Sequence, residues 1–176
     1  MTDAILDRYR HSVTRAMRQR LPDFAPEARH TAPILAILET PGPGAKRSGH
    51  CGLDNSDPTA KRIARLVEES GIQRRDIVFW NLYAAYEAGH TRRTKWAKHL
   101  SDLINLMPNL QVVIAFGDHA WRGLRDVELP QKIWLIGAPH PSNQSCNRNR
   151  EATRLISRAW LRAKLCITAH SRPTRR

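Results

Sequence analysis

The sequence predicts an α/β fold, a three-layer sandwich in which a four-stranded parallel sheet lies between helices on both faces. Four short runs rich in Ile, Val and aromatic residues have the length of buried strands, at residues 33–38, 76–81, 111–116 and 132–137. Segments in which apolar residues recur at helical spacing separate these runs. Strands that alternate with helices form parallel sheets whose helices cover both faces.

Each segment between the strands carries helix signals. The first helix is expected before the first strand, and Asp57-Pro58 is a cap and first-turn proline for the second, which ends at Gly71. A third helix ends before Pro108, a short one follows Gly117, and a long one covers about residues 149–165. The apolar faces of the first, second, third and last helices are Ile5, Tyr9, Val13 and Met17; Ile63, Leu66 and Val67; Trp96, Leu100, Leu103, Ile104 and Met107; and Leu155, Ile156, Ala159 and Trp160. We also expect Trp80, Trp121 and Trp134 in the core.

The length of 176 residues fits one domain, which we assign to residues 1–169, followed by a basic tail at 170–176 that we expect to be disordered. The net charge is +13, and it is uneven: the first 88 residues carry +2 and the last 88 carry +11. A basic surface concentrated in one half favours a polyanionic partner, most often nucleic acid. The alternative is a basic surface without a special partner.

Cysteine and hydropathy patterns exclude several classes of protein. The three cysteines show no CxxC spacing, so we expect no disulfide framework and a cytosolic location. They are too few for a four-cysteine metal or iron–sulfur site, although mixed Cys/His ligation stays open. No apolar run approaches the roughly 18 residues of a membrane span. The N-terminal segment lacks the apolar core of a signal peptide, so we expect neither secretion nor membrane insertion.

Polar side chains follow the strands at the edge where ligands bind in α/β sheets. Glu39 follows the first strand, in Leu38-Glu39-Thr40-Pro41-Gly42, and a long loop is expected after it at residues 46–57. Asn81 ends the second strand. His119 follows the third, and His140 follows the fourth in His140-Pro141-Ser142. Each also has a simpler interpretation as turn or strand-end chemistry. Together they predict a polar pocket.

In this order, the motifs resemble those of the uracil-DNA glycosylase superfamily, over about residues 34–163. The resemblance rests on Glu39-Thr40-Pro41-Gly42, on the strand ending in Asn81, on Phe116-Gly117 and on His140-Pro141-Ser142. The best-known branch has an aspartate in place of Thr40. The pattern at Glu39 is closer to a branch with an iron–sulfur cluster, whose four cysteine ligands are absent here. The resemblance therefore implies an atypical branch.

The resemblance implies a monofunctional DNA glycosylase that hydrolyses the N-glycosidic bond of flipped-out uracil and leaves an abasic site for base excision repair. No metal or cofactor is implied. The partners are DNA containing uracil and free uracil as product, and we expect a monomer in the cytoplasm of a prokaryotic cell, associated with the nucleoid. Two alternatives stay open: a glycosylase for another deaminated base, and a non-catalytic protein that binds uracil or abasic sites.

The resemblance also assigns roles to residues. Glu39 would orient or deprotonate water and stabilise the cationic sugar, with Thr40 beside it, and His140 would donate to uracil O2. Asn81 would read the O4 and N3–H edge. The remaining substrate and DNA contacts are His50, in the loop where an aromatic residue normally stacks on uracil, Ser142, Lys46, Arg47, Ser48, Asn143, Gln144, Arg148 and Arg150. Residues 143–150 are expected to be a loop that enters the DNA, and Arg158 and Arg162 a solvated helix face.

Overall fold

The structure is a computed structural model of the chain and describes residues 3–86 and 93–170, except for the side chains of residues 93, 94 and 170. The tail predicted at 170–176 lies outside the described residues, apart from the backbone of residue 170. In chain order the elements are α1 (Ala4–Met17), β1 (Asp23–Phe24), β2 (Ile34–Leu38), α2 (Pro43–Ser48), β3 (His50–Cys51), α3 (Pro58–Ser70), β4 (Ile77–Asn81), α4 (Arg93–Asn105), β5 (Val112–Phe116), α5 (Asp118–Gly123), β6 (Trp134–Ala138), α6 (Asn143–Arg148) and α7 (Ala152–His170), with short 3-10 turns at Arg74–Asp76 and Leu124–Asp126.

The main sheet contains the four strands that the sequence predicts, each within two residues of its expected bounds. Its strand order is β4-β2-β5-β6, and every neighbouring pair is parallel. The register pairs Leu38 with Asn81 and Phe116 with Ala138, so the carboxyl ends of all four strands reach one edge. The predicted α/β class is confirmed.

Helices cover both faces of this sheet because its strands are apolar on both sides. Leu35 and Ile37 pack with α1 and α4, whereas their neighbours Ile34 and Ala36 pack with α3 and α7. Alternate residues of a strand point to opposite faces, so one continuous apolar run serves two layers of core. The result is the predicted three-layer arrangement.

Helix caps fix where the helices on the two faces begin and end. The Asp57 side chain accepts from the backbone N–H groups of Thr59 and Ala60 at the start of α3, with Pro58 in the first turn. Gly71 ends this helix at φ 69°, a left-handed conformation that glycine adopts without strain. The predicted start of this helix at Asp57-Pro58 and its predicted end at Gly71 are both confirmed.

A second, two-stranded sheet lies beside the main one. β1 pairs in parallel with β3, which matches Asp23 with His50 and Phe24 with Cys51. The Phe24 ring stacks on Trp80 of β4, with centroids 4.0 Å apart. This small sheet holds the segment after β2 next to the end of β4, and nothing in the sequence pattern indicated it.

Three predictions of core residues are wrong. Trp134 is 57% exposed, Leu155 is 38% exposed and Trp121 is 37% exposed. Trp134 is exposed because β6 lies at the edge of the sheet and has a neighbouring strand on one side only. Leu155 is exposed because it lies outside the buried face of α7, which Ile156, Ala159 and Trp160 form. Trp80, Trp96 and Trp160 are buried as predicted.

Two segments predicted as loops contain helices. Residues 46–57 include the end of α2 and the strand β3, and residues 143–150 include α6. The Ser142 side chain starts α6 by accepting from the backbone N–H of Ser145. The last helix therefore begins later than predicted, at Ala152, and continues to His170. Among the described residues, no helix is both long and apolar enough to cross a membrane.

Candidate active site

A cavity of about 270 Å³ opens at the carboxyl edge of the sheet, beside the ends of β2 and β4 and the start of α3. Asn81 and His140 line it, as the strand-end pattern predicts, and so do Thr40 and Ser142, the candidates that the family resemblance added. The rest of its wall is formed by Leu38, Pro41, Gly42, Pro43, Ala45, Cys51, Gly52, Leu53, Asn55, Asp57, Thr59, Ala60, Ile63, Phe79 and Trp80.

Asn81 is the buried polar group at the end of β4, with 4% of its surface exposed. The thiol of Cys51 donates to Asn81 Oδ1 at 3.2 Å. Burial raises the pKa of Cys51 to about 12, so this sulfur keeps its proton and acts as the donor. With Oδ1 accepting from Cys51, the amide nitrogen is the part of the Asn81 side chain that remains as a donor for a ligand in the cavity that this residue lines.

His140 is held by its own loop in one protonation form. The backbone N–H of Ser142 donates to His140 Nδ1 at 3.2 Å. A backbone N–H can only donate, so Nδ1 carries no proton and the neutral ring holds its hydrogen on Nε2. Burial lowers the pKa of His140, and the charge of Glu39 opposes this by a smaller amount. His140 therefore acts as a neutral hydrogen-bond donor near pH 7.

Gly117 makes room for His140. Its φ is +88°, and an added Cβ would lie 3.1 Å from the Cβ of His140. Gly117 also donates its N–H to Ala138 O, which ties the ends of β5 and β6 together just before the histidine. The Phe116-Gly117 dipeptide is thus explained by the position of the imidazole.

Glu39 lies beside the cavity rather than in its wall. Its carboxylate is 3.7 Å from His119 Nδ1, and its backbone carbonyl accepts from the Tyr83 N–H, which locks the end of β2 to the segment after β4. Its negative charge also acts on His140, where it raises the pKa and partly opposes the effect of burial. Thr40, the next residue, lines the cavity.

Two polar residues of the cavity were not predicted. Asn55 is 7% exposed, and Asp57 combines its cap of α3 with a place in the wall, where its Oδ2 lies against Gly44. Both belong to the predicted loop at 46–57. The run of polar residues Asp54-Asn55-Ser56-Asp57, which follows a strand, is the sequence feature that could have indicated these two cavity residues.

His50 does not join the cavity wall. Its ring lies against Gly52, where an added Cβ would be 3.2 Å from His50 Cδ2, and its backbone carbonyl accepts from Asn55. The aromatic residues of the wall, Phe79 and Trp80, come from β4 instead. His50, predicted as a substrate contact, is therefore not among the residues that line the cavity.

Arg62 of α3 binds the loop that carries His140. Its guanidinium donates to the carbonyl oxygen of Pro141 and to Asn143 Oδ1, the latter at 2.9 Å. These two bonds join α3 to the start of α6 across the mouth of the site. No sequence pattern indicated this contact, because Arg62 is one of several basic residues on this helix.

The predicted DNA contacts lie on two exposed segments. Lys46 and Arg47 are exposed on α2, and the hydroxyl of the exposed Ser48 bonds to the backbone of His50. Lys46 also lines a basic groove with Arg18, Gln19, Arg20 and Tyr86, which the sequence did not predict. Asn143, Gln144 and Arg148 are exposed on α6, and Arg150 is exposed just after it.

Within the part of the chain that the structure describes, no group of three or more His, Cys, Asp or Glu side chains could hold a metal ion. The three cysteines are free thiols. What the pocket offers a ligand is a set of fixed hydrogen-bonding groups from Asn81, His140, Asn55 and Thr40.

Fold and site together define an α/β protein with a small polar pocket at the carboxyl edge of a parallel sheet and basic groups beside it. The model of the Uracil DNA glycosylase superfamily matches residues 26–164. The chain belongs to that superfamily, and its lack of the iron–sulfur cysteines agrees with an atypical branch.

Three solved structures are similar to this chain, and the first of them supports the fold. A putative uracil DNA glycosylase from Methanosarcina acetivorans is 15% identical, with a TM-score of 0.52, over 83% of this chain and 98% of that one. A mimivirus UNG variant in complex with UGI is 20% identical, with a TM-score of 0.44, over 76% of this chain and 62% of its own length. The UNG from Nitratifractor salsuginis is 12% identical, with a TM-score of 0.43, over 75% of this chain and 74% of that one. No curated protein matches the sequence.

Proposed function

We propose that the protein is a monofunctional DNA glycosylase that hydrolyses the N-glycosidic bond of uracil flipped out of DNA and leaves an abasic site. One observation carries the proposal: a base-sized cavity presents the Asn81 amide and the Nε2–H of a neutral His140 as fixed donors. Uracil offers carbonyl oxygens at O2 and O4, so the two donors suit its two acceptors. Family membership agrees with this reaction.

Loss of uracil from the sugar places negative charge on the departing base. A donor at O2 stabilises that charge, and it does so best when it is already oriented in a pocket from which water is excluded. His140 is oriented by the Ser142 N–H, by Arg62 through the Pro141 carbonyl and by the space above Gly117. Because the ring is neutral, it donates a hydrogen bond to O2 without transferring its proton.

The positive charge that develops on the sugar requires a carboxylate outside the base cavity. Glu39 meets this requirement, because it directly follows β2 at the edge of the sheet where the cavity opens, is not part of the cavity wall, and its charge acts on His140. It orients a water molecule for attack on the anomeric carbon, and Thr40 helps to hold that water. Asp57 is less suited, since its Oδ1 is engaged by two backbone N–H groups at the start of α3.

Selection against cytosine follows from the amide of Asn81. Cytosine presents an amino group where uracil presents O4, so the amide nitrogen of Asn81 would face another donor. A buried, unpaired donor is costly, and fixed polar sites therefore reject the mismatched edge strongly. Cys51 contributes by keeping the amide in this orientation.

We infer that basic residues contact the DNA phosphates. Lys46, Arg18 and Arg20 line one basic groove, and two further arginines are exposed at the end of α6 (Arg148) and just after it (Arg150). The exposed residues Asn143, Gln144 and Arg148 fill the space left by the flipped base. We place the protein in the cytoplasm as a monomer that acts on the nucleoid, with uracil-containing DNA as substrate.

A glycosylase for another deaminated base is the second candidate, and Gly52 favours it. This residue lines the cavity in the loop where related enzymes carry an aromatic stacking residue. The smaller side chain leaves space for a base larger than uracil.

The test is incubation of the purified protein with an oligonucleotide that contains one uracil, followed by alkali and gel electrophoresis. Alkali-dependent cleavage at the uracil that falls at least 100-fold in His140→Ala and Asn81→Ala would support the proposal. Glu39→Gln tests the water-activating role separately. Binding of uracil-containing DNA without any release of base would favour the non-catalytic binding protein instead.

A further inference from the structure

The strand β6 forms one edge of the main sheet, and this edge is open. In the part of the chain that the structure describes, β6 has a neighbouring strand on one side only. Gly137, within β6, is exposed, so its backbone is accessible from outside. An exposed edge offers unpaired N–H and C=O groups to another chain, and proteins usually cover such an edge.

Two hydrogen bonds show which backbone groups of β6 face the open edge. The Trp134 N–H donates to the carbonyl of the residue just before β5, and the Ala138 carbonyl accepts from the N–H of the residue just after β5. Successive residues of a strand turn their N–H and C=O groups to opposite sides. Leu135 and Gly137 therefore direct their backbone groups away from β5, toward the open edge.

On one face of the sheet, the open edge is bordered by an aromatic ring. Gly137 lines a groove together with Trp121 and Asp118 of α5. An added Cβ at Gly137 would lie 3.1 Å from Trp121 Cε3, and the indole is 37% exposed. A side chain that enters this groove meets an apolar surface beside a carboxylate, so an apolar side chain suits it and an acidic one does not.

On the other face, the open edge is bordered by arginines. Ile136 points to this face, where it packs with α7. Ile136 and Gly137 line a groove there with Leu155, Arg158 and Arg162 of α7. Both arginines are exposed, and neither forms an ion pair with a described residue. An acidic side chain suits this groove.

We propose that the open edge of β6 binds an extended acidic segment of another protein, which adds a strand to the sheet. The backbone of the segment pairs with Leu135 and Gly137. Because side chains alternate between the two faces of a strand, its acidic side chains meet Arg158 and Arg162, and its apolar side chains meet Trp121. This binding does not depend on the proposed reaction, since the cavity lies beside the ends of β2 and β4.

Charge and hydrogen bonding favour this partner over two others. A second copy of the chain, paired edge to edge, would bring two sets of unpaired arginines together on molecules that each carry +13. DNA phosphates would suit the arginines, but they only accept hydrogen bonds and leave the edge carbonyls of Leu135 and Gly137 unpaired. An acidic peptide strand satisfies both the arginines and the backbone.

The test is an NMR titration of the isotope-labelled protein with a peptide of about eight residues that alternates aspartate with valine. We expect the amide signals of Leu135 and Gly137 to shift, with a Kd below about 1 mM. Arg158→Glu and Arg162→Glu should each weaken binding about 5-fold or more. The control Arg75→Glu makes the same charge change just before β4, at the opposite edge of the sheet, and should alter Kd by less than about 2-fold.

Two methylated peptides separate strand pairing from charge attraction. One carries methyl groups on its aspartate backbone nitrogens and the other on its valine backbone nitrogens, so only one of them loses the donors that face β6. We expect that peptide to bind at least about 10-fold more weakly and the other to bind like the parent.

Several results would overturn the proposal. They are equal affinity of the two methylated peptides, equal loss of binding in Arg75→Glu, and the absence of any shift at Leu135 and Gly137. Shifts confined to the basic groove around Lys46 would show that the peptide only replaces DNA. A protein that dimerises through β6 without peptide would show that a second copy covers this edge instead.

Discussion

At the scale of single residues, the protonation of His140 decides what the pocket can do. The imidazole must be neutral for Nδ1 to accept from the Ser142 N–H, and it must carry its hydrogen on Nε2 to donate to a base. Burial favours this form and lowers the pKa of His140 despite the nearby charge of Glu39. Because the pKa of His140 is lower in the folded protein than in the unfolded chain, its protonation also affects the free energy of unfolding.

The stability of the protein should therefore depend on pH through His140. The unfolded chain has an ordinary histidine pKa of about 6.5, and the folded pKa is lower, so the unfolded state binds more protons between the two values. His140 thus makes the free energy of unfolding fall as the pH drops below about 6.5, until the folded pKa is passed. Urea denaturation of wild type and His140→Gln between about pH 8 and about pH 5 measures this. If the difference in free energy of unfolding between wild type and His140→Gln does not change with pH, the lowered pKa of His140 is contradicted.

Gly117 offers a second residue-scale prediction. Alanine at this position combines a φ of +88° with a Cβ 3.1 Å from His140, so we expect a loss of about 1–3 kcal/mol in the free energy of unfolding. Because the Cβ pushes on the imidazole, glycosylase activity should fall more than the loss of folded protein explains. Denaturation and single-turnover rates on the same preparation would check this. A stable, fully active Gly117→Ala protein would disprove the assigned role.

At the scale of elements, α3 connects the fold to the site. Its start forms part of the cavity wall, and Arg62 in its second turn bonds to the loop that follows His140. The two-pronged contact suits a guanidinium, whose planar fork reaches both oxygens at once, and a lysine could not reproduce it. The helix therefore sets the position of a loop that lies 79 residues away in sequence.

Removal of this contact should lower activity more than stability. We expect Arg62→Ala and Arg62→Lys to reduce kcat about 10-fold or more, since a small displacement of His140 weakens its bond to the base. Arg65→Ala is the matched control on the same helix, because Arg65 is 62% exposed and, among the described residues, its ion pair is with Glu69 at 3.6 Å. Equal effects of the two alanine variants on kcat would count against the positioning role of Arg62.

The start of α1 gives an element-scale prediction about acid stability. Burial raises the pKa of Asp3, but hydrogen bonds from His30, Leu6 and Ile5 outweigh it and lower the pKa from 3.8 to about 2. A depressed folded pKa stabilises the protein above the unfolded value, here by roughly 2 kcal/mol, and this is lost as the pH falls from about 4 to about 2. Asp3→Asn keeps the cap without the charge. The difference in free energy of unfolding between wild type and this variant should shrink over that range, and a constant difference would refute the linkage.

At the scale of the whole molecule, the net charge of +13 governs the encounter with DNA. Neutralised phosphates release counterions, so affinity should fall with salt in proportion to the number of basic contacts. Lys46→Gln should reduce the slope of log affinity against log salt by about 1. Arg75→Gln removes one charge at the opposite edge of the sheet, just before β4, and serves as the control. Equal slopes in the two variants would place Lys46 outside the DNA interface.

Sequence patterns predicted the sheet well because each buried strand is a continuous apolar run between clear helix and turn signals. They also predicted a polar pocket at the strand ends, since parallel strands bring their carboxyl ends to the same edge. Asn81 and His140 line that pocket, whereas Glu39 and His119 are not part of its wall. They failed at Asn55, Cys51 and Arg62, whose roles depend on β3 and on contacts between distant segments. The exposure of Trp134 likewise depends on which strand lies at the edge of the sheet. No local pattern contains that information.

The most direct test of the proposed reaction is the identity of the free base released in a single turnover. Four duplexes, identical except for uracil, hypoxanthine, thymine or cytosine at one position, would be incubated with wild type and His140→Ala, and the released base measured by mass spectrometry. We predict release of uracil by wild type, background release of cytosine, and a loss of at least 100-fold in the variant. Release of no base from any duplex, or uracil release that is unchanged in His140→Ala, would contradict the account.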